Sequence, residues 1–427
     1  MSASVKGNGV VPAITQCLAS ALPCVPGLSA AMQKHDQLSA RITPSVTSNS
    51  HPTMAIPSVH WDRCPRQTLS CAHSLFPYFA KTAGPKDPDG RYITDRHRPV
   101  EVTANFRQWN AVINMDAQPL NKASKLPLLI TGGASATPAT LAAWASANRA
   151  QLDAWLHRSG GVLFRGFGIQ SIAEFRDLAV AARPELAAYI GGDSPRNRVA
   201  DKIYTSTEFP PQVEIGLHNE MSYASWWPSQ LFFFCQTPAT TGGETQIGDA
   251  RRVLALLDGP VRDRFAKKGV LYEQHLRHAE GPPGPGKSWQ ETFETQDRAE
   301  VEVLVSDSNM DWEWTELGLR TAIRRPGIVS HPDTGELVWF NQANLWHAQM
   351  GGAKKWVASS GEPHHHARYG DGSDIPIADL LAVEQAYQQA ELTFRWEAGD
   401  VLVLDNHLTV HGRKPFTGPR AVFVAMA

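Results

Sequence analysis

The sequence predicts a mostly β domain, an antiparallel sandwich or barrel with helices at its periphery. Three observations carry this reading. Short apolar runs of strand length recur from Leu126 to the C-terminus, turn residues bound most of them, and only a few stretches keep a helical period. Many short strands with a few helices fit a sheet-on-sheet core with helical cover.

Taken in order, Leu126-Pro127-Leu128-Leu129-Ile130 is a short apolar run, and Thr137-Pro138 opens one helix from Ala139 to His157. Gly161 to Phe167 reads as a buried strand between glycines, and Ile172 to Ala182 as a second helix. Further strands are expected at Ser229 to Gln236, Leu337 to Phe340, Asp400 to Leu404 and Ala421 to Ala425, with helices at Asp249 to Leu257 and Asp379 to Ala390. Residues 126–427 form the expected catalytic domain. The first sixty residues are rich in Ser, Ala, Val and Pro, with Asp36 as their only acid and Arg41 as their only arginine. They read as a disordered or removable leader, organelle import being the alternative to a cytoplasmic protein. Residues 61–125 form an extension that no pattern assigns.

The 427 residues hold 40 Lys and Arg against 42 Asp and Glu, a balance that gives neither nucleic acid nor an anionic membrane a reason to bind. No apolar run reaches the length of a bilayer span, so a soluble protein is expected. The five cysteines include no C-x-x-C pair, and Cys235, closing the run Leu231-Phe232-Phe233-Phe234, is expected in the core.

An iron site of two imidazoles and one carboxylate leaves coordination positions open, and its sequence form is H-x-D/E with a distant second His. Four places match: His60/Asp62, His218/Glu220, His278/Glu280 and His331/Asp333. Only His218/Glu220 has an apolar approach, Val213 to Leu217, and an aromatic-rich sequel, Tyr223 to Phe234. Strand alternation would put His218 and Glu220 on one face, with Asn219 turned away. The distal imidazole is His407 or His411, both after the strand at Asp400. A keto acid also needs a buried cation, for which a guanidinium is suited. Arg420, sharing a strand face with Val422 and Val424, competes with Arg413 for that task. Thr245, in Gly242-Gly243-Glu244-Thr245, is by itself a turn residue.

From about residue 126 onward the chain resembles the TauD/TfdA (taurine dioxygenase-like) family, and within it the branch associated with syringomycin biosynthesis and clavaminate-synthase-like hydroxylases. The resemblance rests on Tyr204-Thr205-Ser206-Thr207-Glu208, Leu217 to Tyr223, Gly242 to Thr245, His331 to Glu336, Val338 to Gln342, Gly370-Asp371-Gly372 and Gly399 to Asn406 through His411-Gly412-Arg413 to Gly418-Pro419-Arg420. It implies a double-stranded β-helix, or jelly roll. It implies Fe(II) on His218, Glu220 and His411, with 2-oxoglutarate on Thr245 and Arg420 and dioxygen as co-substrate. The implied reaction hydroxylates a small molecule, an amino acid free or tethered to a carrier protein, and releases succinate and carbon dioxide. Desaturation, epoxidation and ring closure are the alternative outcomes; a silent jelly-roll binding protein is the rival class. Halogenating members replace the metal carboxylate with a small residue, so Glu220 argues against that outcome. Tyr223, Trp226, Trp227 and Asn341 are the candidate substrate-pocket residues, with core packing the competing role for the tryptophans.

Two further signals are set aside. Gly281 to Ser288 spells a phosphate loop, but Pro282, Pro283 and Pro285 lack the N–H groups that bind phosphate. His364-His365-His366, between Pro363 and Gly370, is expected in an exposed loop.

Overall fold

The computed structural model describes residues 115–427 apart from 123, 195, 283–285 and 351–362. The leader, most of the extension, the His60/Asp62 pair and Cys17, Cys24, Cys64 and Cys71 lie outside the described residues. The expected border near residue 126 falls within a hairpin, in which Asp116–Asn121 pairs with Ser124–Thr131.

An eight-stranded sheet forms the centre, in the order Asp116–Asn121, Ser124–Thr131, Gly161–Arg165, Val401–Asp405, Gln230–Thr237, Ala421–Met426, Ile203–Thr205 and Arg198–Ala200. Ser124–Thr131 and Gly161–Arg165 run parallel, because two helices intervene as a crossover; the other neighbours are antiparallel. Alternation decides what each strand buries. Phe232 and Phe234 face the helical layer, while Leu231, Phe233 and Cys235 face the opposite layer. Val401 and Val403 divide from Leu402 and Leu404 in the same way, as do Phe423 and Ala425 from Val422, Val424 and Met426. With both faces covered, these strands carry unbroken apolar runs in place of a polar alternation.

The helical layer consists of Pro138–Ala147, Arg149–Ser159 and Ile172–Ala182. The single helix expected from Ala139 to His157 is therefore two. Thr137 caps the first in a reciprocal bond with Thr140. Asn148 ends it, leaving helical geometry at φ −128 and ψ 37 and donating from Nδ2 to Trp144 O at 2.9 Å. The second helix stops at Gly160, with φ 74, where a Cβ would lie 2.6 Å from Thr409 Oγ1, so only glycine fits.

On the other face lies a four-stranded antiparallel sheet of Glu391–Phe394, Thr245–Asp249, Thr409–Arg413 and Ile215–His218. It packs Ile247, Val410 and Leu217 against Phe233, Leu404 and Val422 of the large sheet. The two facing sheets make the expected jelly roll, and among the described residues no sheet closes into a barrel. A further four-stranded sheet joins Asp311–Thr315, Gly318–Arg325, Val270–Arg277 and His365–Tyr369. Its last strand corrects the expected exposed loop: the His364 side chain is 3% exposed, because pairing with Val270–Arg277 draws the tract inward. No helix among the described residues is long and apolar enough to cross a membrane.

Candidate metal centre

His218 ends the strand Ile215–His218, and His411 lies directly across from it on Thr409–Arg413. Cross-strand pairing brings the ring centroids to 4.4 Å. Glu220 lies beyond the strand end, so simple alternation does not place it. A turn does, with Met221 at φ 55. Asn406 clamps that turn: its Oδ1 accepts the Glu220 N–H at 2.8 Å, and its Nδ2 donates to Glu220 O at 3.0 Å. Asn219 is fully buried, and its Nδ2 donates to Asn406 O at 2.7 Å. As a result Glu220 Oε2 stands 3.5 Å from His411 Nε2 and 4.0 Å from His218 Nε2. One donor atom from each residue lies within 4.8 Å of the other two.

The chemistry of these donors fits a divalent transition metal. His218 Nδ1 is 2.9 Å from Gly216 O, and a carbonyl only accepts, so the ring hydrogen sits there and Nε2 keeps its lone pair. Burial, followed by the neighbouring His411, lowers His218 to about 4, so the ring is neutral at neutral pH. Burial alone would raise the Glu220 carboxyl. The Arg196 guanidinium, 2.7 Å away, and the two imidazoles outweigh it and hold Glu220 well below the usual carboxylate range. Two imidazoles and a carboxylate suit iron(II). His411 Nδ1 is buried and makes no hydrogen bond among the described residues.

Thr245, Arg413, Arg420, Ser206 and Phe233 share a pocket with both imidazoles. Arg413 spends its guanidinium on the backbone carbonyls of Phe209, Pro210 and Val213. Arg420 has only Gly243 O at 3.2 Å and Ser206 Oγ at 3.3 Å among its hydrogen-bond acceptors in the described residues. Burial, with Arg413 nearby, lowers Arg420 to about 10, the signature of a cation without a counter-ion. Thr245 Oγ1 accepts the Trp396 indole N–H at 3.0 Å, which leaves its hydroxyl hydrogen to donate elsewhere.

The remaining candidates separate from this cavity. His407 is 8% exposed, takes the Trp227 indole N–H at 2.9 Å and stacks on Phe340. His331 Nε2 faces Asp405 Oδ2 at 2.9 Å while its Nδ1 accepts the Asp333 and Thr334 N–H groups. Asn341 pins a turn, donating to Gly327 O and accepting from Ala343 N–H. Tyr223 and Trp226 line a different cavity, with Tyr272, Gln274 and Trp346. The sequence reading missed Arg196 and Asn406. Arg196 carried no spacing signal, and Asn406 stood in a quoted segment without a role.

Residues 124–426 match the family described as taurine catabolism dioxygenase TauD, TfdA family. The chain is 38% identical over 277 residues to the dapdiamide synthesis protein DdaC of Enterobacter agglomerans, covering 64% of this chain and 83% of that one. It is 32% identical, again over 277 residues, to a clavaminate synthase-like protein of Arabidopsis thaliana, with 64% and 82% covered. The solved structure of PvcB from Pseudomonas aeruginosa aligns with 73% of this chain and 90% of its own at 14% identity and a TM-score of 0.43. The clavaminate synthase-like relative agrees with the branch that the motifs indicated. The chain thus belongs to the TauD/TfdA family and is an Fe(II)- and 2-oxoglutarate-dependent dioxygenase.

Proposed function

We propose that this protein hydroxylates an unactivated C–H bond of a small amino acid or amino-acid-derived metabolite, with the metal on His218, Glu220 and His411 and 2-oxoglutarate on Arg420 and Thr245. The observation that carries the reading is one cavity shared by an imidazole pair and a buried guanidinium without a carboxylate partner among the described residues, with Glu220 beside the pair. Bound iron(II) supplies the coupled decarboxylation of 2-oxoglutarate and oxidation of the C–H bond.

The residues do the rest. His218 presents Nε2 because Gly216 O holds the hydrogen at Nδ1. Glu220 stays ionised because Arg196 faces it, and it acts as a ligand; no general acid or base is needed. Arg420 accepts the distal carboxylate of 2-oxoglutarate and Thr245 donates its hydroxyl to the same group, which sets the co-substrate's direction in the cavity. Phe233, against the His411 ring at 5.3 Å, keeps that wall dry.

The test is anaerobic addition of Fe(II) and 2-oxoglutarate to the full chain, read by the visible charge-transfer band. A screen of free and carrier-tethered amino acids for stimulated succinate release follows, with product mass separating hydroxylation from desaturation or ring closure. His218→Ala and Glu220→Ala should abolish both signals while the fold is retained. Full activity in either variant overturns the assignment.

A further inference from the structure

We propose that Asp193, His364 and His365 form a second metal site, suited to a borderline divalent ion, zinc(II) first. His364 Nε2 and His365 Nε2 lie 3.5 and 3.0 Å from Asp193 Oδ1. The three donor atoms fall within 4.8 Å of one another. Side-chain exposures of 3%, 11% and 17% for His364, His365 and Asp193 take the cluster out of bulk water.

Four features distinguish this cluster from a hydrogen-bonded trio. Both Nε2 atoms are buried and make no hydrogen bond among the described residues, although a carboxylate oxygen is 3.0 Å from one of them. The His365 contact therefore fails as a hydrogen bond on direction, not on distance. Second, His364 Nδ1 is 2.7 Å from His275 O, so a ring hydrogen sits there and Nε2 is the ring atom left for the Asp193 carboxylate side, 3.5 Å away.

Third, metal–ligand bonds of about 2.0–2.2 Å imply ligand–ligand edges of about 2.8–3.6 Å, from octahedral to tetrahedral geometry. The distances of 3.0 and 3.5 Å lie inside that range. Fourth, the donors are held from behind: Gln274 Nε2 donates to Asp193 Oδ1 at 2.7 Å, and Trp346 lies 4.3 Å from the His365 ring.

Lys287, bonded to Gly192 O at 2.8 Å and interacting with the Asp193 charge, opposes a further positive charge, which sets the affinity below that of a thiolate site. The ion would tie the strand His365–Tyr369 to the segment that carries Arg196 to Glu220. The site rests on its own donors and does not depend on the iron assignment.

The test is Co(II) titration of the chelator-stripped full chain, anaerobic and without 2-oxoglutarate, read by the visible d–d bands and by elemental analysis. Wild type should bind two equivalents. Asp193→Asn and His365→Gln should each bind one, and His218→Ala should also bind one. Far-UV circular dichroism checks that each variant is folded, and the isosteric Asp193→Asn serves if His365→Gln is not. A wild type that binds a single equivalent, lost in His218→Ala but kept in Asp193→Asn, overturns this site and leaves the iron site standing. A single equivalent lost in Asp193→Asn and kept in His218→Ala supports this site and removes the iron assignment instead.

Discussion

Arg196→Met should make the metal-free protein much less stable while leaving the metal-loaded protein close to wild type. Arg196 Nη2 sits 2.7 Å from Glu220 Oε2, and the two side chains are 2% and 4% exposed. Removing one partner of a buried pair leaves the other charge uncompensated, at about 3–5 kcal/mol. In the loaded protein a divalent ion on Glu220 takes over that compensation, so the loss should shrink to about 1 kcal/mol, near the packing lost where the guanidinium covers the Tyr189 ring. Metal should therefore stabilise the variant more than wild type by about 2–4 kcal/mol, and linkage requires it to bind the variant more tightly, by about 30- to 900-fold. The assay is urea denaturation of chelated and Mn(II)-saturated samples of both proteins. Equal losses with and without Mn(II) would show that Arg196 acts on the fold and not through Glu220. Absence of any loss without metal would refute the buried pair itself.

Three further outcomes are expected. Arg420→Met should weaken 2-oxoglutarate by about 10- to 150-fold, the value of a charge-assisted contact of about 1.5–3 kcal/mol, in a titration of the charge-transfer band; a loss found in Arg413→Met alone would transfer the clamp to that residue. Asn406→Ala leaves Glu220 N–H, Glu220 O and Pro228 O without a partner in the core, so the urea midpoint should report a loss of at least about 2 kcal/mol, with weaker metal binding; unchanged metal affinity would detach Asn406 from Glu220 placement. Burial, with His366 and Arg368 nearby, lowers His347 to about 4, and burial with Arg368 lowers His366 to about 4. Both folded values lie below the unfolded value near 6.5, so the unfolded chain binds more protons in that window and stability should fall as pH drops from about 6.5 to 4. His366→Gln should flatten that fall in denaturant midpoints measured across the range, and an unchanged slope would remove His366 from it.

How far the sequence carried the structure depended on whether the signal was local. The runs at Leu231 to Cys235 and Val401 to Leu404 read as strands because both faces are buried, and a run with no polar alternation announces just that. The helix break at Asn148 was harder: its side chain competes for the Trp144 carbonyl, a choice that apolar periodicity does not register. The His-x-Glu motif pointed to two residues that the structure brings together with His411, but by an incomplete route. Alternation was the stated reason, whereas the strand ends at His218 and Asn406, far along the chain, sets Glu220. The His364 to His366 tract was misplaced because the flanking Pro363 and Gly370 read as loop signals, whereas pairing with Val270–Arg277 makes it a buried strand start.

By itself the sequence determined the family, the sheet-on-sheet class and the residue types of the candidate centre, since apolar period and motif spacing are properties of nearby residues. Only the tertiary structure decided which arginine is free for an anion, which histidine faces His218, and that Arg196 meets Glu220. Those are questions of which buried polar groups find partners across hundreds of residues, and chain order does not encode the answer until the sheets have packed.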